Sequence, residues 1–130
     1  MAIRVKHRVY VHTYEDTAGK NKLFAPDPEL SEVVNDGFDK QAGGVVSVAV
    51  SSNEGLSLGD LTAVKGLFLR VNGDAQVILN GGDAIQMRKG PSGSTARLFI
   101  EADITSINVA NPSATDVLNG VYCIWGDPSA

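Results

Sequence analysis

The sequence predicts an all-β fold: one antiparallel β-sandwich domain of about eight short strands, with at most one short helix. Three observations predict it. The run from Ile3 to Tyr14 alternates in character almost without error. Apolar and β-branched runs then recur at roughly 8 to 12 residue spacing between clusters of Gly, Asn, Ser and Pro. Helical periodicity is absent from everything after Gly44.

Each element follows from local chemistry. Successive strand side chains point to opposite faces, so Ile3, Val5, Val9 and Val11 share one face of the first strand and Arg4, Lys6, Arg8, Tyr10 and His12 the other. Glu15 to Asn21 is a polar loop around Gly19. Pro26 to Val34 suits one short helix, because Pro and acidic residues favour a first helical turn, and Asn35-Asp36-Gly37 would stop it. The same stretch also suits an extended surface arm, and residues 15–44 are read as a long loop or arm on a domain spanning residues 1–130. Val45 to Val50 is a β-branched strand with its turn at Ser51 to Gly55. Leu61 to Val71 follows, with Gly66 marking a bulge or a close approach.

Asn72-Gly73-Asp74 reads as a tight hairpin turn, since Asn and Gly tolerate positive φ. Ala75 to Leu79 returns as a strand and Asn80-Gly81-Gly82-Asp83 turns again. Ala84 to Arg88, Thr95 to Ile100, Ile104 to Val109 and Gly120 to Trp125 complete the set, separated by Lys89 to Gly93 and by Asn111-Pro112-Ser113. Matching parity on these segments predicts a core of Val48, Val50, Leu67, Leu69, Val77, Leu79, Leu98, Ile100 and Trp125.

Bulk composition narrows the class. With 130 residues, 43% hydrophobic and 20% charged, the chain has the make-up of one folded globular domain. A formal net charge of -4 argues against general affinity for nucleic acid, which requires an excess of Lys and Arg. Charge is unevenly placed, however, with Arg4, Lys6 and Arg8 at the start and most carboxylates beyond Tyr14. Cys123 is the single cysteine, so no intrachain disulfide forms, and its neighbours Tyr122, Ile124 and Trp125 suit a buried thiol. No signal peptide or run of apolar residues long enough to span a membrane stands in the sequence, so assembly in a cytoplasm is expected.

No constellation demands catalysis. His7 and His12 have opposite parity and cannot jointly hold a metal on one strand. Glu101 and Asp103 share parity, about 7 Å apart at Cα by strand rise, a spacing that a solvated strand face produces as readily as a glycosidase pair. The Asn-Gly loops lack the spaced carboxylates of a calcium loop, and turn chemistry accounts for them. Ser57, Ser92 and Ser94 lack a nucleophile elbow. Tyr122 and Trp125 suit core or interface anchors better than a sugar-stacking platform. The reading is therefore non-enzymatic, without cofactor or metal.

The tract Lys65 to Gly82, then Arg97-Leu98-Phe99-Ile100-Glu101-Ala102 and Gly120-Val121-Tyr122-Cys123-Ile124-Trp125-Gly126-Asp127, resembles the β-rich small accessory structural proteins of tailed-bacteriophage virions. The likeness covers about half the chain. It implies a capsid decoration or cement subunit, a β-sandwich or jelly roll that oligomerises and clamps the joints between capsid subunits. It implies the major capsid protein or another virion protein as partner, a place in the virion, and no nucleic acid or membrane. A tail-associated or free carbohydrate-binding sandwich is the alternative. In the first case the row Arg4, Lys6 and Arg8 is the expected docking element on an acidic partner surface.

Overall fold

A computed structural model describes residues 3–9, 14–17, 20–23, 31–38, 40–90 and 93–128, with side-chain burial for 42–90 and 93–126. It is all-β, with twelve strands and no helix among the described residues. The chain divides into two compact units, residues 4–37 and residues 38–130 together with 1–3.

The smaller unit is built from two separate two-stranded ladders. In one, β1 (Ile3–Val9) pairs with β4 (Ser31–Phe38). In the other, β2 (Tyr14–Thr17) and β3 (Lys20–Leu23) are antiparallel, with Tyr14 opposite Leu23 and Thr17 opposite Lys20. The segment 15–44 thus contains strands where sequence reading expects a loop or arm. The helix expected over Pro26 to Val34 is corrected at its C-terminal end, since Ser31 to Val34 open β4. Val33 and Val34 are β-branched, and pairing with β1 satisfies their backbone better than a single helical turn could. Residues 26–30 lie outside the described residues.

The larger unit holds eight strands: β5 (Lys40–Val48), β6 (Asn53–Gly55), β7 (Leu61–Val71), β8 (Ala75–Leu79), β9 (Ala84–Met87), β10 (Ala96–Ile104), β11 (Ile107–Ala110) and β12 (Leu118–Pro128). They form two four-stranded antiparallel sheets in the orders β10-β7-β12-β5 and β6-β11-β8-β9. The pairing is nested. β8 pairs with β9, β7 with β10, β6 with β11 and β5 with β12, so the larger unit is one long two-stranded ribbon folded over itself. Ladders β7–β12 and β8–β11 then close the two sheets. This is the eight-stranded, doubly wound arrangement of a jelly roll.

The ribbon's tip and corners explain the turn residues. Asn80 and Gly81 have φ of 57° and 69°, and Gly82 N donates to Leu79 O, which closes the β8–β9 hairpin with the two positive-φ residues that strand twist favours. Asn72-Gly73-Asp74 departs from its predicted role. It links β7 to β8, which lie in different sheets, and is a corner rather than a hairpin. Its Asn72 reaches β12 instead, donating its N–H to Asn119 O and accepting Asn119 N–H at Oδ1, both at 2.9 Å. Asn111 pins another corner. It is 3% exposed, and its Nδ2 donates to the carbonyls of Val48, Ala49 and Asp116 while its Oδ1 accepts from Ser113 N. Every polar atom of that buried amide is thereby satisfied. Asn53 to Gly55, expected as part of a turn, form β6 against β11.

Alternate residues of the two sheets fill the core. Val46, Val48, Leu67, Leu69, Val71, Leu118 and Ile124 come from one sheet and Ala75, Val77, Met87, Ile107 and Val109 from the other. Leu79, Leu98 and Ile100 pack against this cluster half-buried. Val50 is 37% exposed, because β5 ends at Val48 and the chain turns toward β6.

Candidate functional site

The sheet β10-β7-β12-β5 has a second face whose composition does not suit simple solvation. Strand parity sets Leu67, Leu69 and Ile124 inward, so their neighbours turn away from the core. Register then aligns these residues in rows. Arg97, Arg70, Val121 and Val45 lie opposite one another across the four strands, and Phe99, Phe68, Cys123 and Gly43 form the next row. Glu101, Gly66, Trp125 and Gln41 form the third.

Exposure grades along these rows. Val45 is 79% exposed and Val121 38%, and Arg70 and Arg97 are exposed, whereas Phe68, Phe99 and Cys123 are half-buried. Apolar side chains directly opposed across a ladder gain from mutual contact, but two exposed valines also leave apolar area in water. Beside them Arg70 and Arg97 are directly opposed like charges, which disfavours a ladder unless a carboxylate joins them. Among the described residues neither guanidinium has an ion-pair partner. The face therefore couples an apolar strip to an opposed pair of cations with no carboxylate joining them among the described residues.

Trp125 closes one end. Its side chain turns away from the core and is 3% exposed, with the ring lying over Gly66, where an added Cβ would overlap the indole. Gly66 is thus a close-approach glycine, and it also sits at the break in the β7 registers with β10 and β12. Phe99 packs on the indole at a centroid distance of 5.8 Å and a 31° tilt. The indole Nε1 is buried and has no acceptor among the described residues.

A separate polar cleft of 840 Å³ opens between the corners, lined among others by Asn72, Asp74, Arg88, Ser113, Asp116 and Asn119. Asp74 Oδ1 accepts the Lys89 backbone N–H at 2.8 Å and its Oδ2 faces Arg88 Nη1 at 3.4 Å. The Lys89 N–H, with help from Arg88, holds this carboxyl below its ordinary pKa. Asp74 thereby ties the β7–β8 corner to the chain leaving β9.

The residues singled out in the sequence are dispersed. Arg4, Lys6 and Arg8 fall at alternate positions of β1, and their side chains lie outside the described residues. Tyr122 faces the core side and donates its hydroxyl to Ser57 O at 2.8 Å. Trp125, expected with the core residues, lies on the other face, so the two rings make no common platform. Glu101 and Asp103 straddle a register shift, and Asp103 Oδ1 accepts from Lys65 Nζ at 2.6 Å. Neither carboxylate lines the cleft. His7 lies in β1, and His12 is outside the described residues. No group of three His, Cys, Asp or Glu suited to a metal occurs among the described residues, and no helix there is long and apolar enough to cross a membrane. Comparison with family models, curated proteins and solved structures gives no match in any of the three.

Proposed function

We propose that this chain is a non-enzymatic virion structural protein, a capsid decoration subunit that attaches across the junctions between capsid subunits. The observation that supports it most is the outward face of β10-β7-β12-β5, where Arg97 and Arg70 stand beside exposed Val121 and Val45. A sheet face of this kind suits attachment by surface burial, with the arginines meeting carboxylates on the partner and the valines forming its dry centre. The jelly-roll order is in keeping with this reading, since that architecture is used in capsids, although it also serves lectins.

The docking element in this reading is the Arg70 and Arg97 face, with the Arg4, Lys6 and Arg8 row as a second basic contact. The test is rebinding to particles stripped of the protein at low and high salt. Wild type binds at low salt and weakens as screening rises, and an Arg70→Ser, Arg97→Ser variant that folds normally loses that salt-sensitive attachment. Equal binding by variant and wild type at both salts rejects the reading. Copy number per purified particle separates head from tail, being high for a decoration subunit.

The polar cleft favours a second reading, carbohydrate binding. Amide and carboxylate groups of Asn72, Asp116 and Asn119 line it in a form suited to sugar hydroxyls, and its volume lies in the range of ligand sites. A glycan array in which binding is lost on Asp116→Ala, with the Arg70 and Arg97 variant unaffected, would favour this alternative.

A further inference from the structure

The two four-stranded sheets have four edges, and three of them carry protective devices. β6 is three residues long and holds Glu54, and β9 has four residues and runs into Arg88 and Lys89. β10 is nine residues long, but it carries Arg97, Glu101 and Asp103 and breaks register between Glu101 and Ile104. Short length, charge and bulges are the means by which sheet edges avoid pairing with other chains. β5 is the least protected, with a single charge, Lys40, at its first residue. It is nine residues long, keeps unbroken register with β12 from Lys40 to Val48, and contains neither charge nor proline from Gln41 to Val48. Its other edge has no ladder partner among the described residues, and Gly43, Gly44, Val45 and Ser47 are exposed.

We propose that the free edge of β5 is a homodimer seam, pairing antiparallel with β5 of a second copy so that the two four-stranded sheets become one of eight strands. Charge selects the occupant. A strand paired antiparallel with its own copy brings any charge near the dyad against the same charge, so self-pairing favours a neutral strand centre, whereas a foreign partner imposes no such neutrality. Gln41 to Val48 meets that requirement. Antiparallel pairing about the strand midpoint, Gly44, sets each Val45 diagonal to its counterpart on the same sheet face, within reach across the seam. The seam therefore covers the most exposed large apolar side chain of the described residues. It also sets the two outward faces side by side, which doubles the row of arginines and valines. The seam goes beyond the docking reading and is tested on free protein, so failure of particle attachment leaves its outcome separate.

The experiment is a light-scattering mass series over protein concentration for wild type, Val45→Lys, Val45→Asp and Gln86→Lys on the β9 edge. Val45 is 79% exposed, so its variants retain the fold, which circular dichroism confirms. Wild type and Gln86→Lys rise to twice the monomer mass, both Val45 variants weaken association by at least about tenfold, and an equimolar Lys and Asp mixture restores it. A wild type that stays monomeric, Val45 variants that dimerise like wild type, or a mixture that stays monomeric overturns the seam.

Discussion

The two faces of the β10-β7-β12-β5 sheet are made from the same four strands, yet they do different work. The inner face is a continuous set of aliphatic side chains, with Val46, Val48, Leu67, Leu69, Val71 and Ile124 at 1% exposure or less. The outer face runs from a buried aromatic contact at Trp125 and Phe99 to open valines and arginines at Val45, Val121, Arg70 and Arg97. What the difference teaches is that burial on this sheet does not follow parity alone. Trp125 has the exposure of a core residue without belonging to the core, and the apolar character of the outer face persists where burial stops.

Five outcomes would break or sharpen this comparison. The largest effect is expected at Trp125→Ala, about 3 to 5 kcal/mol by denaturant unfolding, as for a large aromatic lost from a packed site. A cost under about 1 kcal/mol would mean that the outer aromatic contact contributes little and the faces differ more than burial suggests. Trp125→Phe should cost less than the alanine change, because it also removes a buried indole N–H that lacks an acceptor. On the inner face, Leu69→Ala should cost about 2 to 5 kcal/mol. Gly66→Ala should cost less than either, about 1 to 3 kcal/mol, since its methyl would displace the indole above it. A blue or red shift of the single tryptophan's fluorescence reports that displacement directly.

The smallest effect concerns Asp74 and is read through pH. Its folded-state pKa is lowered, so the stabilisation it lends is complete above the ordinary value of 3.8 and is lost as pH falls through the lower folded value. The difference in thermal stability between wild type and Asp74→Asn should therefore stay constant between pH 7 and 5, and the wild type should lose its advantage over the variant only in stronger acid. An advantage that fades already between pH 7 and 5 would contradict the assigned tie to the Lys89 N–H.

Much of the fold was legible where one face of a strand is dry. Leu61–Val71 and Ala75–Leu79 have the bounds that their alternation implies, and Gly66 is the close-approach glycine its position suggested. Asn80-Gly81 was legible because turn chemistry there is local. Asn72-Gly73-Asp74 has nearly the same letters and a different role, since whether a turn joins neighbours or crosses between sheets depends on partners far along the chain. Trp125 is buried as expected, and only the face it takes was illegible, for a related reason. Tyr122-Cys123-Ile124-Trp125 is apolar on both faces, so nothing local says which parity is inward, and it is register with Leu67 and Gly66 that decides. The candidate face was the least legible part. Arg70 and Arg97 each look like solvated strand residues, and their opposition appears only once β7 and β10 are aligned.

The nested ribbon carries a consequence for how the molecule is made. Within the ribbon only the β8–β9 hairpin closes over a short loop, and each ladder outward from it joins segments more distant in sequence, ending with β5 and β12. Loop-closure entropy favours zipping from the Asn80-Gly81 tip outward, and a topology so rich in distant pairings folds slowly. During synthesis β5 emerges early and its partner last, so the least protected strand of the larger unit waits longest for its ladder. The ribosome's pace, and the crowding of neighbouring nascent chains, thus bear on the yield of this protein.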